Sequence, residues 1–293
     1  MSVSMPFGLS THLFHGERLE RDHLARMAAR DFGLVEVFAT RTHVDYHDAR
    51  RVEEVRGWLD DLHLTAWSLH APITEGFGGG VWGRAYSNAS RDASVRAEAI
   101  SETLAAIAAA RTLGARIVVL HIGLPQGQPI PADDNDADAA RRALTPIAAA
   151  CEEAGVQLAL EVIPNRLATA DAILGWLHEH ADLDRAGACL DVGHAHLTGG
   201  APEAVETLSG TILTTHIHDN AGAADDHLIP FAGTIDWATT LQGLVKTGYT
   251  GPLVFELPDH GDAERVLAGA VDARRKLQAI INELTAPFPF EDA

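Results

Sequence analysis

Imidazole and carboxylate side chains recur where short apolar segments of this chain end. The pattern is visible in WSLH, VVLH, LALE and CLD, and it continues in THIH and LVFE. If these segments are strands of one parallel barrel, their carboxyl ends meet in a single cup, where several buried carboxylates would repel each other unless cations neutralise them. The pattern therefore predicts a divalent-metal site. The residues concerned are Glu36, His70, His121, Glu161, Asp191, His194, His216, Asp225, His227 and Glu256.

The types of ligand narrow the choice of metal. Oxygen and imidazole donors without thiolates suit Mn²⁺, Zn²⁺, Co²⁺, Fe²⁺ or Mg²⁺ better than a structural zinc site of the cysteine type. We therefore predict a cofactor of one to three such divalent ions.

Short β-type runs alternate with amphipathic helical stretches, which predicts repeated βα units around a parallel sheet. The predicted strands cover residues 6–10, 34–38, 65–70, 117–121, 157–162, 188–191, 213–217 and 253–257. The predicted helices cover residues 17–31, 48–62, 90–113, 136–154, 168–180, 201–209, 236–247 and 262–284. Eight such units favour an α/β fold with a single (β/α)8 TIM barrel over residues 1–285 and an extended tail over residues 286–293. Two adjacent α/β domains are the alternative, but no Pro- or Ser-rich linker marks a boundary.

Composition excludes several classes of function. The 293 residues include 22 Lys and Arg against 41 Asp and Glu, a formal charge of −19, so the average surface field repels nucleic acid. No apolar run approaches the roughly 20 residues that span a bilayer, and the two cysteines have no disulfide spacing. We expect a cytoplasmic protein that acts on a small molecule, without a membrane or nucleic-acid partner.

The order and spacing of several motifs resemble the xylose isomerase-like TIM-barrel superfamily, which contains sugar isomerases and epimerases and AP endonucleases of the endonuclease IV type. The resemblance covers nearly the whole chain. It is carried by LHAP, LHIG, LEVIPN, LDVGH, HIHDN, DDHLIPFAGTID and FEL. It implies a homo-oligomer as well, since such assemblies are common among related barrels.

The resemblance to the sugar isomerases and epimerases implies one metal ion held by Glu161, Asp191, His216 and Glu256. The implied substrate is a sugar, a sugar phosphate or a keto-polyol, and the ion would polarise its carbonyl and the neighbouring hydroxyl. Glu161 and Glu256 would then move a proton on and off the adjacent carbon, which is the work of two positioned carboxylates. The segment HDNAGAADDH lacks the Arg that many of these epimerases carry soon after the strand-seven His.

The resemblance to the endonucleases implies a fuller ligand set and a hydrolase of phosphodiester bonds as the alternative function. Here the groups would be His70, His121 and Glu161 on one ion; Glu161, Asp191, His216 and Glu256 on a second; and His194, Asp225 and His227 on a third. The net charge disfavours duplex DNA as the substrate of such a hydrolase.

Four further residues are candidates for substrate binding. Glu36 is expected to bind a substrate hydroxyl or a ligand His, or to take a structural role at the rim. Arg41 and Arg166 follow strands and either clamp an anionic group or are solvated. Trp82, in a Gly-rich loop expected to be flexible, either forms an apolar lid wall with its neighbours or packs within the loop. His218, two residues after His216, is expected to face the helix layer unless the strand ends there.

Overall fold

The computed structural model describes residues 5–126 and 134–286, and in them eight parallel strands close into a barrel. The TIM-barrel prediction is confirmed. Around the barrel, the strands follow the order β1, β10, β9, β8, β7, β6, β3, β2. These strands are β1 (Phe7–Ser10), β2 (Leu34–Phe38), β3 (Thr65–His70), β6 (Ile117–Leu120), β7 (Gln157–Glu161), β8 (Gly187–Asp191), β9 (Ile212–Ile217) and β10 (Leu253–Phe255).

Helices connect successive strands and cover the outside of the barrel. They are α1 (Arg21–Ala28), α2 (Ala49–Asp61), α3 (Ala93–Leu113), α4 (Ala137–Ala154), α5 (Ala170–Glu179), α6 (Val192–Thr198), α7 (Ala201–Thr207), α8 (Trp237–Lys246) and α9 (Ala263–Thr285). None of those that the structure describes is long and apolar enough to cross a membrane. The predicted barrel boundary coincides with the end of α9, whereas residues 287–293 of the predicted tail lie outside the described part of the chain.

Capping residues in the sequence explain where the long helices begin and end. The side chain of Asp92 accepts hydrogen bonds from the backbone N–H groups of Ser94 and Val95, which satisfies the free donors of the first turn of α3. The same helix ends at Gly114, whose φ of 74° lies in the left-handed region that favours glycine. Asp136 and Gly155 bound α4 in the same way.

The sequence prediction missed α6, which begins directly after β8. Asp191 ends the strand and caps this helix, because its carboxylate accepts a hydrogen bond of 2.7 Å from the N–H of His194. One residue thus ends a strand, starts a helix and places a second candidate ligand one turn further on.

The Gly-rich segment, which we expected to be a flexible loop, forms a short hairpin. Strands β4 (Phe77–Gly78) and β5 (Val81–Trp82) pair antiparallel through a two-residue turn. Gly79 and Gly80 form that turn with φ values of 59° and 80°, as a type I′ turn requires. Two adjacent glycines supplied the turn type that the twist of a hairpin favours.

The interior of the barrel changes character along the strands. A small apolar cluster inside it contains Ile117, Val119, Ala159 and the free cysteine Cys189. Because residues two apart on a strand share a face, the next inward positions are His121, Glu161 and Asp191. The alternation therefore places a polar layer directly on top of an apolar one, at the carboxyl ends of the strands.

Candidate metal centre

Four side chains from adjacent strands converge at the carboxyl end of the barrel, and we call Glu161, Asp191, His216 and Glu256 the inner group. One donor atom from each lies within 4.8 Å of those of the other three. Nδ1 of His216 is 3.1 Å from Glu161, 3.5 Å from Glu256 and 3.8 Å from Asp191. All four residues are buried. The predicted inner ligand set is thus brought together, with one imidazole nitrogen facing three carboxylates.

Glu36 fixes the orientation of the His216 ring. Its carboxylate lies 2.9 Å from Nε2 of His216 and accepts a 2.8 Å hydrogen bond from the Ser68 hydroxyl. With Nε2 of His216 bonded to Glu36, Nδ1 is the nitrogen that faces the inner group. This is the arrangement that ligand imidazoles commonly have around metal ions, with the second nitrogen bonded to a carboxylate.

A second cluster shares Glu161 with the inner group. Nε2 of His70 and Nε2 of His121 each lie 3.0 Å from Glu161 Oε2. Nδ1 of His70 donates to the carbonyl oxygen of Ala71 at 2.8 Å, so Nε2 is the nitrogen that faces the carboxylate. The predicted grouping of His70, His121 and Glu161 therefore also meets in space.

A third cluster, which we call the outer group, consists of His194, His218, Asp225 and His227. Asp225 Oδ2 lies 3.0 Å from Nε2 of His194 and 3.3 Å from Nε2 of His227. The other ring nitrogens of these two imidazoles contact backbone carbonyls at 3.0 Å, those of Val162 and Glu256. The structure brings the three predicted residues together and adds His218.

His218 is the residue that the sequence analysis misplaced. The expectation that it faces the helix layer was wrong, because residues two apart on a strand point to the same face and the strand itself ends at Ile217. Its Nε2 lies 3.0 Å from Asp191 Oδ1. The HIH spacing was the signal that could have found it.

The charges of these clusters depend on one another. Burial raises the pKa of Glu161, but the imidazoles of His121, His216 and His70 hold it well below its usual value. Burial lowers the pKa of His70, yet the Glu161 carboxylate raises it to about 9. In the same way, burial lowers the pKa of His194, but the Asp191 carboxylate raises it to about 10. The Glu161 carboxylate therefore stays ionised, and the protonated imidazoles of His70 and His194 supply compensating positive charge.

The donor sets fit divalent metal ions. Neighbouring imidazoles lower the pKa values of the Glu161, Asp191 and Asp225 carboxylates. One ring nitrogen in each of His70, His194, His216 and His227 makes a hydrogen bond that leaves the other nitrogen facing carboxylate oxygen. A divalent cation would supply the positive charge that protons supply otherwise, and its binding would release those protons. No thiolate takes part, since both cysteines lie outside these groups.

A cavity of about 280 Å³ opens above the clusters. Glu256 and Asp225 contribute carboxylates to its wall, and His70, His121, His194 and His227 contribute imidazoles. Aromatic rings beside these groups line the cavity as well: Phe38, His12, His15 and Trp82, whose indole stacks on His15 at 4.7 Å between ring centroids and 12° between planes. The volume is near the lower end for small-molecule sites.

Of the four predicted substrate-binding residues, only Trp82 lies on this wall. Glu36 is fully buried behind His216. Arg41 pairs with Glu102 on α3, and Arg166 donates to the backbone carbonyl of Asn135. Both arginines thus bond to partners within the fold, and neither lines the cavity.

His15 and Phe38 also line the cavity, and neither was predicted from the sequence as a site residue. His15 directly follows the short 3₁₀ helix Thr11–Phe14 after β1, and Phe38 ends β2. Their position at strand ends was the available signal, but an aromatic residue there is also an ordinary packing residue.

Two relatives align with this chain. It is 34% identical over 155 residues to the uncharacterised protein y4fM of Sinorhizobium fredii, a match that covers 51% of this chain and 49% of that protein. The chain thus spans about half the length of y4fM. It is 26% identical over 295 residues to the uncharacterised protein MJ1311 of Methanocaldococcus jannaschii, covering 97% of this chain and 93% of that protein.

Solved structures share the fold over almost the whole chain. A D-tagatose 3-epimerase-like protein superimposes with a TM-score of 0.79 at 24% identity, covering 96% of this chain and 100% of that one. L-ribulose 3-epimerase gives 0.74 at 21% identity, covering 96% and 95%. The IOLI protein with a binding zinc atom gives 0.72 at 19% identity, covering 97% and 100%. The family described as xylose isomerase-like TIM barrel matches residues 24–279, and this chain therefore belongs to that family.

Proposed function

We propose that this protein is a divalent-metal-dependent isomerase or epimerase of a sugar or a related keto-polyol. The observation that carries the proposal is the inner group, in which three carboxylates and one imidazole nitrogen converge beside a cavity of sugar-like size. The fold shared with a D-tagatose 3-epimerase-like protein and L-ribulose 3-epimerase supports the same class of reaction. The zinc atom in the IOLI structure supports a bound divalent metal ion.

The inner group would hold the metal ion, which when bound supplies polarisation of a substrate carbonyl and the neighbouring hydroxyl. Glu256 lies on the cavity wall, where it reaches the hydrogen on the carbon next to that carbonyl. His70 and His121, which both line the cavity, each lie 3.0 Å from the buried Glu161 carboxylate and fix its orientation. If one carboxylate removes the proton and the other, after taking up a proton from solvent, delivers that proton to the opposite face of the same carbon, the carbon is inverted. If the first carboxylate instead returns its proton to the neighbouring carbon, the substrate is isomerised.

The cavity wall favours an uncharged substrate over a sugar phosphate. Among the described residues that line it, there is no Lys or Arg. Phosphate groups in proteins are usually bound by such side chains or by helix N-termini. The aromatic surface of Trp82 and Phe38 suits the C–H face of a sugar, while His12 and His15 offer ring nitrogens to hydroxyl groups.

A panel of ketoses tests the proposal. Metal-stripped protein reloaded with Mn²⁺, Zn²⁺ or Co²⁺ is expected to convert at least one ketose to its epimer or aldose isomer, as separated by chromatography. Glu161→Gln and Glu256→Gln are each expected to reduce turnover by about 10² to 10⁴, the range for a positioned proton-transfer group. Glu153→Gln, on the exposed surface of α4, is the matched control and is expected to keep full activity. Full activity of Glu161→Gln would contradict the proposal.

The second candidate function is hydrolysis of a phosphodiester by several metal ions. The observation that favours it is that two further clusters lie beside the inner group: that of His70, His121 and Glu161, and the outer group. A hydrolase of this kind would lose most of its activity in His227→Ala, whereas a one-metal isomerase would keep most of it. The substrate bis(p-nitrophenyl) phosphate reports the hydrolytic reaction directly. A cytoplasmic location and a homo-oligomer stay predictions from the sequence.

A further inference from the structure

Two histidines that follow β1 line the cavity but belong to none of the three clusters of potential metal ligands among the described residues. His12 lies in the short 3₁₀ helix Thr11–Phe14, and His15 directly follows that helix. The proton-transfer steps proposed above do not use either residue. Their place in the cavity wall is therefore open to another role.

The backbone places the two imidazole rings side by side. In a 3₁₀ helix, side chains three residues apart eclipse each other. The N–H of His15 donates to the carbonyl oxygen of His12 at 3.0 Å, and the two rings stack with 4.6 Å between centroids and 15° between planes. The Ser10 hydroxyl accepts a hydrogen bond of 3.2 Å from the N–H of His12. The turn after β1 thus holds the two rings nearly parallel.

Aromatic neighbours fix the same two rings from other sides. The indole of Trp82 is nearly parallel to both imidazoles, at 12° from the plane of His15 and 4° from that of His12. Phe38 meets His12 edge to face, with 4.7 Å between centroids. Contacts of this kind restrict the orientation of a ring. The pair is therefore arranged before any ligand binds.

Hydrogen bonding determines which nitrogen of His15 carries the proton. Nδ1 of His15 lies 2.8 Å from the carbonyl oxygen of His12. Because a carbonyl oxygen only accepts, Nδ1 is the donor. Burial lowers the pKa of His15 below its ordinary value, so the ring is neutral near pH 7 and Nε2 has a free lone pair. His15 therefore offers a hydrogen-bond acceptor to the cavity.

His12 offers the complementary group. Its Nδ1 is buried and has no hydrogen-bond partner among the described residues. A proton on this nitrogen would be a buried donor without an acceptor, which is costly and rare in folded proteins. The proton therefore belongs on Nε2, the ring nitrogen that is left for a group in the cavity. Burial and the neighbouring imidazole of His15 lower the pKa of His12, which favours the same neutral form.

The pair lies a short distance from the carboxylate proposed to transfer a proton. The ring of His12 is 5.7 Å from that of His227 between centroids, and Nδ1 of His227 is 4.0 Å from Glu256 Oε2. All three residues line the same cavity. A sugar whose carbonyl lies at the inner group therefore extends its far hydroxyl groups toward the stacked pair.

We propose that His12 and His15 bind neighbouring hydroxyl groups at the end of an uncharged sugar farthest from its carbonyl, with Nε2–H of His12 donating and Nε2 of His15 accepting. A hydroxyl group both donates and accepts, so two adjacent hydroxyls satisfy both nitrogens. An ionised phosphate or carboxylate has no proton for His15 and would place negative oxygen against its lone pair. The pair thus selects a sugar with a free terminal diol. The proposal rests on the proposed function, which places the carbonyl at the inner group.

Equilibrium binding to the full-length protein in the presence of Mn²⁺ tests the pair without relying on turnover. D-fructose, D-tagatose and D-psicose are titrated by calorimetry, and the tightest binder is compared with its 6-deoxy and 6-phosphate forms. We expect the 6-deoxy sugar to bind about tenfold to a hundredfold more weakly, because a buried hydrogen-bonding group is then left without its partner. The 6-phosphate is expected to lose at least as much affinity.

Two substitutions separate hydrogen bonding from ring packing. His12→Phe and His15→Phe keep a flat ring in the stack but remove its nitrogens. Each is expected to weaken binding of the parent ketose by about tenfold to a hundredfold and to remove most of the preference over the 6-deoxy sugar. His12→Gln keeps an N–H donor and is expected to recover most of the affinity, which packing alone does not explain. His178→Phe, at an exposed position in the last turn of α5, is the matched control and is expected to bind like the wild type.

Unchanged binding of the ketose by His12→Phe and His15→Phe would overturn the proposal. It would also be overturned if the wild type bound the 6-phosphate more tightly than the parent ketose, or if it bound none of the three ketoses. His15 is only half-buried, so His15→Phe serves as the test even if His12→Phe fails to fold. A protein that binds these sugars through the pair but never epimerises or isomerises them would contradict the proposed function alone.

Discussion

Glu36 and His216 form a buried carboxylate–imidazole pair, with 2.9 Å between Oε2 and Nε2, on the side of the ring that faces away from the inner group. The pair fixes which nitrogen of His216 is free for a metal ion. It also explains why a carboxylate that the sequence marks as a substrate-binding candidate has no access to the cavity.

Glu36→Gln is expected to weaken metal binding at the inner group by about 10-fold to 100-fold, as is typical when the hydrogen-bond partner of a ligand is changed. The amide keeps the shape but lacks the charge that favours Nε2–H. Titration of the metal-free protein with Mn²⁺ or Zn²⁺ measures the effect, with Ser68→Ala as a milder change at the same carboxylate. A rise in KM with unchanged metal affinity would instead favour direct binding of substrate by Glu36.

Trp82→Ala is expected to raise KM by about threefold to tenfold and to leave the metal content unchanged. The indole forms part of the cavity wall, and loss of one aromatic contact costs about 0.5–1.5 kcal/mol. Val81→Ala is the matched control, because Val81 lies in the same hairpin, is 67% exposed and does not line the cavity. Equal effects of the two variants on KM would mean that the hairpin acts as a whole and not through the ring.

Removal of metal is expected to destabilise the protein, since the inner carboxylates would then be neutralised by protons alone. At a free-metal concentration about 1,000 times Kd, the bound ion contributes about 4 kcal/mol to the free energy of unfolding. For a chain of this size, that corresponds to a Tm about 5–10 °C above that of chelated protein. A calorimetric scan with and without chelator measures the difference, and identical Tm values would exclude tight metal binding.

Glu102 gives a pH dependence that is independent of the metal centre. Burial raises its pKa, but hydrogen bonds from Arg41, Tyr46 and His47 lower it to about 2. A depressed carboxyl pKa stabilises the folded state above the unfolded-state value of 4.5, and this contribution is lost as the pH falls through about 2. The side chain is 6% exposed, so solvent screening is small.

Glu102→Gln is therefore expected to lower the free energy of unfolding by about 3 kcal/mol at pH 6 and by less at pH 3. Urea unfolding of both proteins at the two pH values measures the gap. A gap that stays constant between pH 6 and pH 3 would show that the ionised form of Glu102 contributes nothing specific.

The barrel and its ligand positions could be predicted because both follow from local rules. Strand ends such as LALE and CLD carry their polar residue at an inward position, set by the alternation that places Ala159 and Cys189 inside the barrel. The chain order of the motifs then determines which side chains meet, as it does for Glu161 with His70 and His121, which lie more than thirty positions away along the chain.

The parts that could not be predicted depend on competition between distant partners. Arg41 follows a strand, which is a position suited to binding an anionic group, but its guanidinium forms an ion pair with Glu102 on α3. The capping role of Asp191 creates α6, which a pattern of apolar spacing over seven residues does not reveal. The glycines at 79 and 80 have the composition of a flexible loop, and only their pairing context makes them a hairpin turn.

Incorporation of deuterium from heavy water into ketoses tests the central claim most directly. The metal-loaded protein is incubated with each ketose of the panel, and exchange of the hydrogen on the carbon next to the carbonyl is followed by NMR. We predict metal-dependent exchange with at least one ketose, accompanied by its epimer or isomer, and loss of exchange in Glu161→Gln. Absence of exchange with every ketose, together with metal-dependent cleavage of a phosphodiester by the same preparation, would contradict the account.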